Sequence, residues 1–131
     1  MREIKFRGKC IPEFPHPVAK WVYGSFVSDN LILSPYKERN ENRHFWYMVD
    51  PDTVGQFTGL LDCDGREIFE GDILSNGNDV VVIKYKPEWA SFIGFYYGRN
   101  DITLCLDECV RELKIIGNIH DDPKLLEVAH D

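Results

Sequence analysis

At 131 residues and 15.2 kDa the chain is long enough for one domain with a real core, or for two small intertwined lobes. Its composition, 44% hydrophobic, 28% charged and 13% aromatic, excludes wholesale disorder. No stretch approaches the ~18 apolar residues needed to cross a bilayer, and the net charge of −7 opposes non-specific binding to a polyanion.

The first segment alternates. Ile4, Phe6, Gly8 and Cys10 fall on one side and Glu3, Lys5, Arg7 and Lys9 on the other, which predicts a half-buried strand with a basic wet face. Because this strand pattern begins at Met1 with no charged region followed by an apolar one, a cytoplasmic, non-membrane protein is expected. Pro12, Pro15 and Pro17 forbid regular pairing and make residues 12–19 a loop. A strand over 20–27 turns at Asp29-Asn30 and returns at Leu31-Ile32-Leu33, the pattern of a hairpin. The polar run from Lys37 to Arg43 reads as an exposed loop, and the aromatic run from His44 to Val49 as the next strand. Asp50-Pro51-Asp52-Thr53 predicts a short helical turn.

In the second half, a strand over 56–61 feeds the turn Asp62-Cys63-Asp64-Gly65, where glycine supplies the positive φ that a tight turn needs. Arg66 to Phe69 is its exit strand. Asn76-Gly77 marks a second turn ahead of Val80 to Tyr85, the most β-prone stretch of the chain, and the run from Trp89 to Tyr97 reads as its antiparallel partner. Residues 104–113 fit a helix or a strand equally. Residues 113–119 form a strand, and Asp122-Pro123 starts a short helix reaching His130. So many short strands with glycine turns predict a mostly β fold, a small barrel or sandwich of antiparallel strands with a short C-terminal helix.

Charge is uneven. Residues 1–60 carry 8 basic and 7 acidic side chains (+1) and residues 61–131 carry 7 and 15 (−8), so a nucleic-acid face belongs in the first half. Its candidates are Arg2, Lys5, Arg7 and Lys9, with Trp21 and Tyr23 nearby to stack a base. The second half instead offers aromatics. On a strand from Trp89 to Tyr97 both faces carry large rings, one for the core and one for contact, which makes Trp89, Phe92, Tyr96 and Tyr97 a candidate interface and predicts a homo-oligomer.

Chemistry is harder to find. Cys10, Cys63, Cys105 and Cys109 lack zinc-ligand spacing and read as free thiols. Asp62, Asp64 and Gly65 suggest a calcium loop, but that register puts Leu60 and Gly71 where the first and last acidic ligands belong. Glu67, Glu70 and Asp72 are carboxylates near a turn with no nucleophile beside them, and His16, His44, His120 and His130 are scattered. The sequence therefore predicts no catalytic, cofactor-binding or metal-binding residue.

Three ordered segments remain: Met1-Arg2-Glu3-Ile4-Lys5-Phe6-Arg7; Gln56 to Leu60 with Asp64-Gly65-Arg66-Glu67-Ile68-Phe69-Glu70-Gly71-Asp72-Ile73; and Ile115-Ile116-Gly117-Asn118-Ile119-His120-Asp121-Asp122-Pro123-Lys124-Leu125-Leu126. Together they resemble the YopX-like proteins of bacteriophages and prophages. The resemblance implies a β-rich fold whose second half, from the Gly71-Asp72-Ile73 segment, opens an SH3-like barrel, and it implies a phage element in a bacterial host. It implies no activity. A division into lobes 1–58 and 59–131, or one intertwined domain, follows. The expected function is that of a phage accessory protein, a non-enzymatic interaction module that self-associates or binds a host or phage protein, with no cofactor; the alternative is a nucleic-acid-associated regulator using the basic first strand.

Overall fold

The computed structural model describes residues 3–11, 21–38, 41–96 and 110–128. The chain divides into two compact units, Met1–Phe57 and Thr58–Asp131.

The first unit is a meander built outward from its first strand. β1 (Phe6–Lys9) pairs antiparallel with β2 (Trp21–Ser28), which pairs with β3 (Leu31–Glu38) and that with β4 (Glu41–Met48). The other side of β1 takes the start of β5 (Gly55–Leu61), at Phe6↔Gln56 and Arg7↔Gly55. Val22, Ile32 and Val49 form the buried centre, with Phe6, Cys10, Tyr47 and Val54 packed on it, so the alternation at Phe6 and Cys10 points inward as expected. The turn at Asp29-Asn30 and the helical turn at Pro51–Thr53 are both present, the latter capped by the Asp50 carboxylate accepting from Asp52 N–H at 3.0 Å. The polar run does not form a loop throughout. The β3–β4 ladder continues to Lys37↔Asn42 and Glu38↔Glu41, because backbone pairing beyond the apolar register needs no apolar side chain. The proline loop at 12–19 lies outside the described residues.

The second unit begins with the end of β5, which pairs with β6 (Glu67–Phe69). Its main sheet has the order β10-β7-β8-β9, from β7 (Asp72–Ser75), β8 (Val80–Lys86), β9 (Ser91–Tyr96) and β10 (Lys114–Asn118), and α1 (Lys124–Val128) follows. Ile68, Leu74, Val81, Ile83 and Leu113 are its buried centre. Gly65 sits at φ 83° in the first predicted turn, where an L side chain would be strained. In the second turn the Asn76 carboxamide oxygen accepts from Asn78 and Asp79 N–H at 2.9 and 2.8 Å. The fold is thus mostly β, with antiparallel sheets and a short terminal helix. Among the described residues neither sheet closes on itself, so the barrel alternative, including the closed SH3-like form, gives way to open sheets. The ambiguous stretch 104–113 lies mostly outside the described residues; its end is a 3-10 turn, Val110–Glu112, leading to buried Leu113. No described helix is long and apolar enough to cross a membrane.

Gly117 shows how tightly α1 is tied to β10. A Cβ there would stand 2.5 Å from Asp122 Oδ2 and 2.9 Å from Leu125 Cδ1. The same Asp122 oxygen accepts from Asn118 N–H at 3.2 Å, and Asn118 Oδ1 accepts from His120 and Asp121 N–H at 3.0 and 2.9 Å. Gly117→Ala is expected to push Asp122 off this turn and cost about 1–3 kcal/mol, as overpacking does. A lowered urea midpoint with faster amide exchange in residues 118–126 is the expected result; an unchanged midpoint would show that the turn adapts freely.

Candidate interaction face

Several polar residues in and beside the resemblance segments are occupied inside the fold. Asp62, in the turn between Leu60 and Asp64, has its side chain fully buried. Its Oδ1 accepts from Asp64 and Arg66 N–H, both at 2.9 Å, and its Oδ2 accepts from Ile115 N–H at 2.9 Å, with Arg66 Nε at 3.4 Å. Burial alone would raise its pKa, but these three N–H groups and the guanidinium outweigh it and hold the carboxyl below the usual aspartate range. Asp72, 2% exposed, accepts from Phe69 N–H at 2.7 Å. These carboxylates shape turns and face inward, away from any substrate. His120 enters the Asn118 turn through its backbone. His16, His130, Cys105, Cys109 and the His44 side chain fall outside the described residues. Cys10 and Cys63 are free thiols, and burial pushes the Cys10 thiol up. Among the described residues no three His, Cys, Asp or Glu gather where they could hold a metal ion.

The basic first strand is only partly a wet face. Arg7 is 6% exposed, and its guanidinium lies 4.8 Å from the Trp21 ring centroid. That is a correction with a physical reason: Arg7 pairs across the ladder with Tyr23, and neighbouring Trp21 folds over it, so the guanidinium is stacked and enclosed. Lys5 pairs with Glu3 at 3.4 Å and lies over Phe57 at 5.2 Å, while Lys9 is half-buried, its N–H donating to Thr53 Oγ1 at 2.9 Å. Arg2 is outside the described residues. Among the described residues, Lys5, Arg7 and Lys9 do not form the open stripe that a phosphate backbone would follow.

The aromatic strip rearranges more usefully. The register Val81↔Tyr96, Ile83↔Gly94 and Tyr85↔Phe92 puts Phe92 and Tyr96 on the same side as Val81 and Ile83, and both rings pack against the core. Those two belong to the inner face, against the expectation that they line an interface. Tyr97 lies outside the described residues. Trp89 is in a 3-10 turn, Pro87–Trp89, at the tip of the β8–β9 hairpin and not in the strand, because Pro87 fixes φ and ends the ladder. It remains 54% exposed.

The outer face of that hairpin carries residues the sequence reading passed over. Lys84 Nζ stands 5.3 Å from the Phe95 ring centroid, and Lys86 Nζ stands 5.9 Å from the same ring and 4.7 Å from that of Trp89. On this same face Val82 and Ile93 are buried and Lys86 and Phe95 half-buried, while Lys84 is exposed. Tyr85, 43% exposed, borders the inner face, edge-on to Phe92 at 5.2 Å. The signal was present as Lys84-Tyr85-Lys86, period two at the end of an apolar strand. The tip closes through Ala90 at φ 48° and ψ 43°, a left-handed conformation that costs a residue with a Cβ roughly 1–2 kcal/mol and that clusters at binding sites.

A family model described as YopX protein matches residues 23–127. The chain belongs to the YopX family. No curated protein matches it. Among solved structures, the crystal structure of protein EF1440 from Enterococcus faecalis aligns at a TM-score of 0.57 and 23% identity, covering 96% of this chain and 99% of that one. At that identity the likeness is one of fold. For this YopX-family chain, then, the motif residues account for turns and strand junctions, and the hairpin face stands apart from them.

Proposed function

We propose that this YopX-family chain is a non-enzymatic protein-interaction module of a phage or prophage that acts through the outer face of the β8–β9 hairpin. The observation that carries the reading is the cluster of Lys84, Lys86, Phe95 and Trp89, an aromatic platform with cations held over it towards the tip of the β8–β9 hairpin. Half-exposed tryptophan on such a platform is the residue type most enriched among binding hot spots. Acid/base chemistry finds little support, because Asp62 and Asp72 already accept backbone N–H groups. A second apolar strip, Tyr23, Trp46 and Met48, is exposed in the first unit.

The test is a photo-crosslinking amino acid placed at Trp89, with exposed Asn78 at the other end of the sheet as control, in bacteria carrying the whole element. A discrete polypeptide adduct from position 89 and none from 78 is expected. An adduct that shifts by one further 15.2 kDa chain would identify the partner as a second copy. A nuclease-sensitive adduct, or equal labelling from both positions, would overturn the reading.

A further inference from the structure

On the reading that the hairpin's outer face is the contact surface, we infer that its partner is an acidic protein segment in extended conformation, with alternate carboxylates meeting Lys84 and Lys86 and its body lying along Phe95 and Trp89. Two ammonium groups stand within 6 Å of one ring centroid, that of Phe95, in a half of the chain with 7 basic and 15 acidic side chains. Among the described residues neither lysine has a carboxylate within ion-pair distance, although acids outnumber cations about two to one in residues 61–131 of the sequence. Like charges converging on one ring repel, and an anion between them relieves that repulsion. The rings hold the ammonium groups in place in advance, so little side-chain freedom is lost on binding.

Spacing selects the shape of the anion. Residues two apart on a strand are separated by roughly 6.8 Å, which is also the repeat between alternate side chains of an extended peptide. Charge selects its class. Residues 61–131 sum to −8, and affinity for a nucleic acid rises with the number of phosphates neutralised. Two lysines neutralise few, and the net charge of −8 in residues 61–131 opposes the rest of a polyanion. A peptide places two carboxylates and is neutral elsewhere. An identical copy meeting this face by twofold symmetry would set lysines against lysines.

The experiment uses the full chain and three fluorescein-labelled probes: a short peptide alternating glutamate and valine, the same peptide with lysine for glutamate, and single-stranded oligothymidylate. Anisotropy should rise with the acidic peptide, weaken as salt is raised, and stay flat with the other two. Lys84→Glu/Lys86→Glu should lower affinity for the acidic peptide at least tenfold and create affinity for the basic one, with an unchanged melting curve. Equal binding of the acidic peptide to wild type and double variant, no binding to wild type, or tighter binding of oligothymidylate would each overturn the inference. If one of these holds while crosslinking from position 89 still yields a discrete polypeptide, the interaction reading stands and only the acidic-segment assignment falls.

Discussion

Asp62→Ala is expected to destabilise the second unit by about 3–5 kcal/mol and to lower the melting temperature by on the order of 10 °C or more. The carboxylate serves two ends of the structure at once: Oδ1 closes the turn through Asp64 and Arg66 N–H, and Oδ2 fixes the start of β10 through Ile115 N–H. Removal leaves three part-buried donors without their acceptor, and a buried donor left so costs up to roughly 1–3 kcal/mol. Arg66 softens the loss, since its Nη2 also donates to Ile115 O at 2.6 Å. The pH dependence has a defined sign. Asp62 has a folded pKa below its unfolded one, so its stabilisation is fully present above the ordinary aspartate value of about 4 and is lost as pH falls through the folded value. The stability gap between wild type and Asp62→Asn should therefore be constant near neutrality and narrow on acidification below about pH 4. Urea unfolding across that range measures it; a gap that widens toward low pH would show that ionised Asp62 is not what holds the turn.

The parts of this fold that were legible in the sequence are those decided by local chemistry. Asp64-Gly65 and Asn76-Gly77 make turns because of positive φ and side-chain acceptors within a few residues, and Asp50-Pro51 starts a helical turn for the same kind of reason. What escaped depends on partners far away in the chain. Phe92 and Phe95 are equivalent as residue types, and only the pairing Ile83↔Gly94 decides that Phe92 faces the core and Phe95 the lysines. Val81, Val82 and Ile83 are apolar in succession, so the strand itself hid its parity until Lys84 and Lys86 revealed it. Arg7 alternates as an exposed residue should, yet Trp21, fourteen positions along the sequence, covers it. The polar run from Lys37 to Arg43 has the composition of a loop although the ladder continues to Lys37↔Asn42 and Glu38↔Glu41, since backbone pairing leaves no mark on side-chain polarity.

One hairpin should then separate folding from recognition. Ile83 is wholly buried among Ile68, Leu74, Val81 and Leu113, and Ile83→Ala is expected to cost about 2–5 kcal/mol, the transfer free energy of the lost carbons plus the cavity they leave. Trp89, six residues on and past Pro87, contacts Lys86 across its ring and is more than half exposed. Trp89→Ser should move stability by no more than about 0.5 kcal/mol, as surface changes do, yet remove the broadest ring of the platform and with it about 2 kcal/mol of binding, roughly thirtyfold in affinity. Urea unfolding and anisotropy with the glutamate–valine peptide, run on both variants, should give opposite patterns: Ile83→Ala weak to urea but binding normally once folded, Trp89→Ser firm to urea but binding poorly. If Trp89→Ser unfolds as readily as Ile83→Ala, the tryptophan belongs to the packing of the hairpin and the contact surface must be sought elsewhere on the chain.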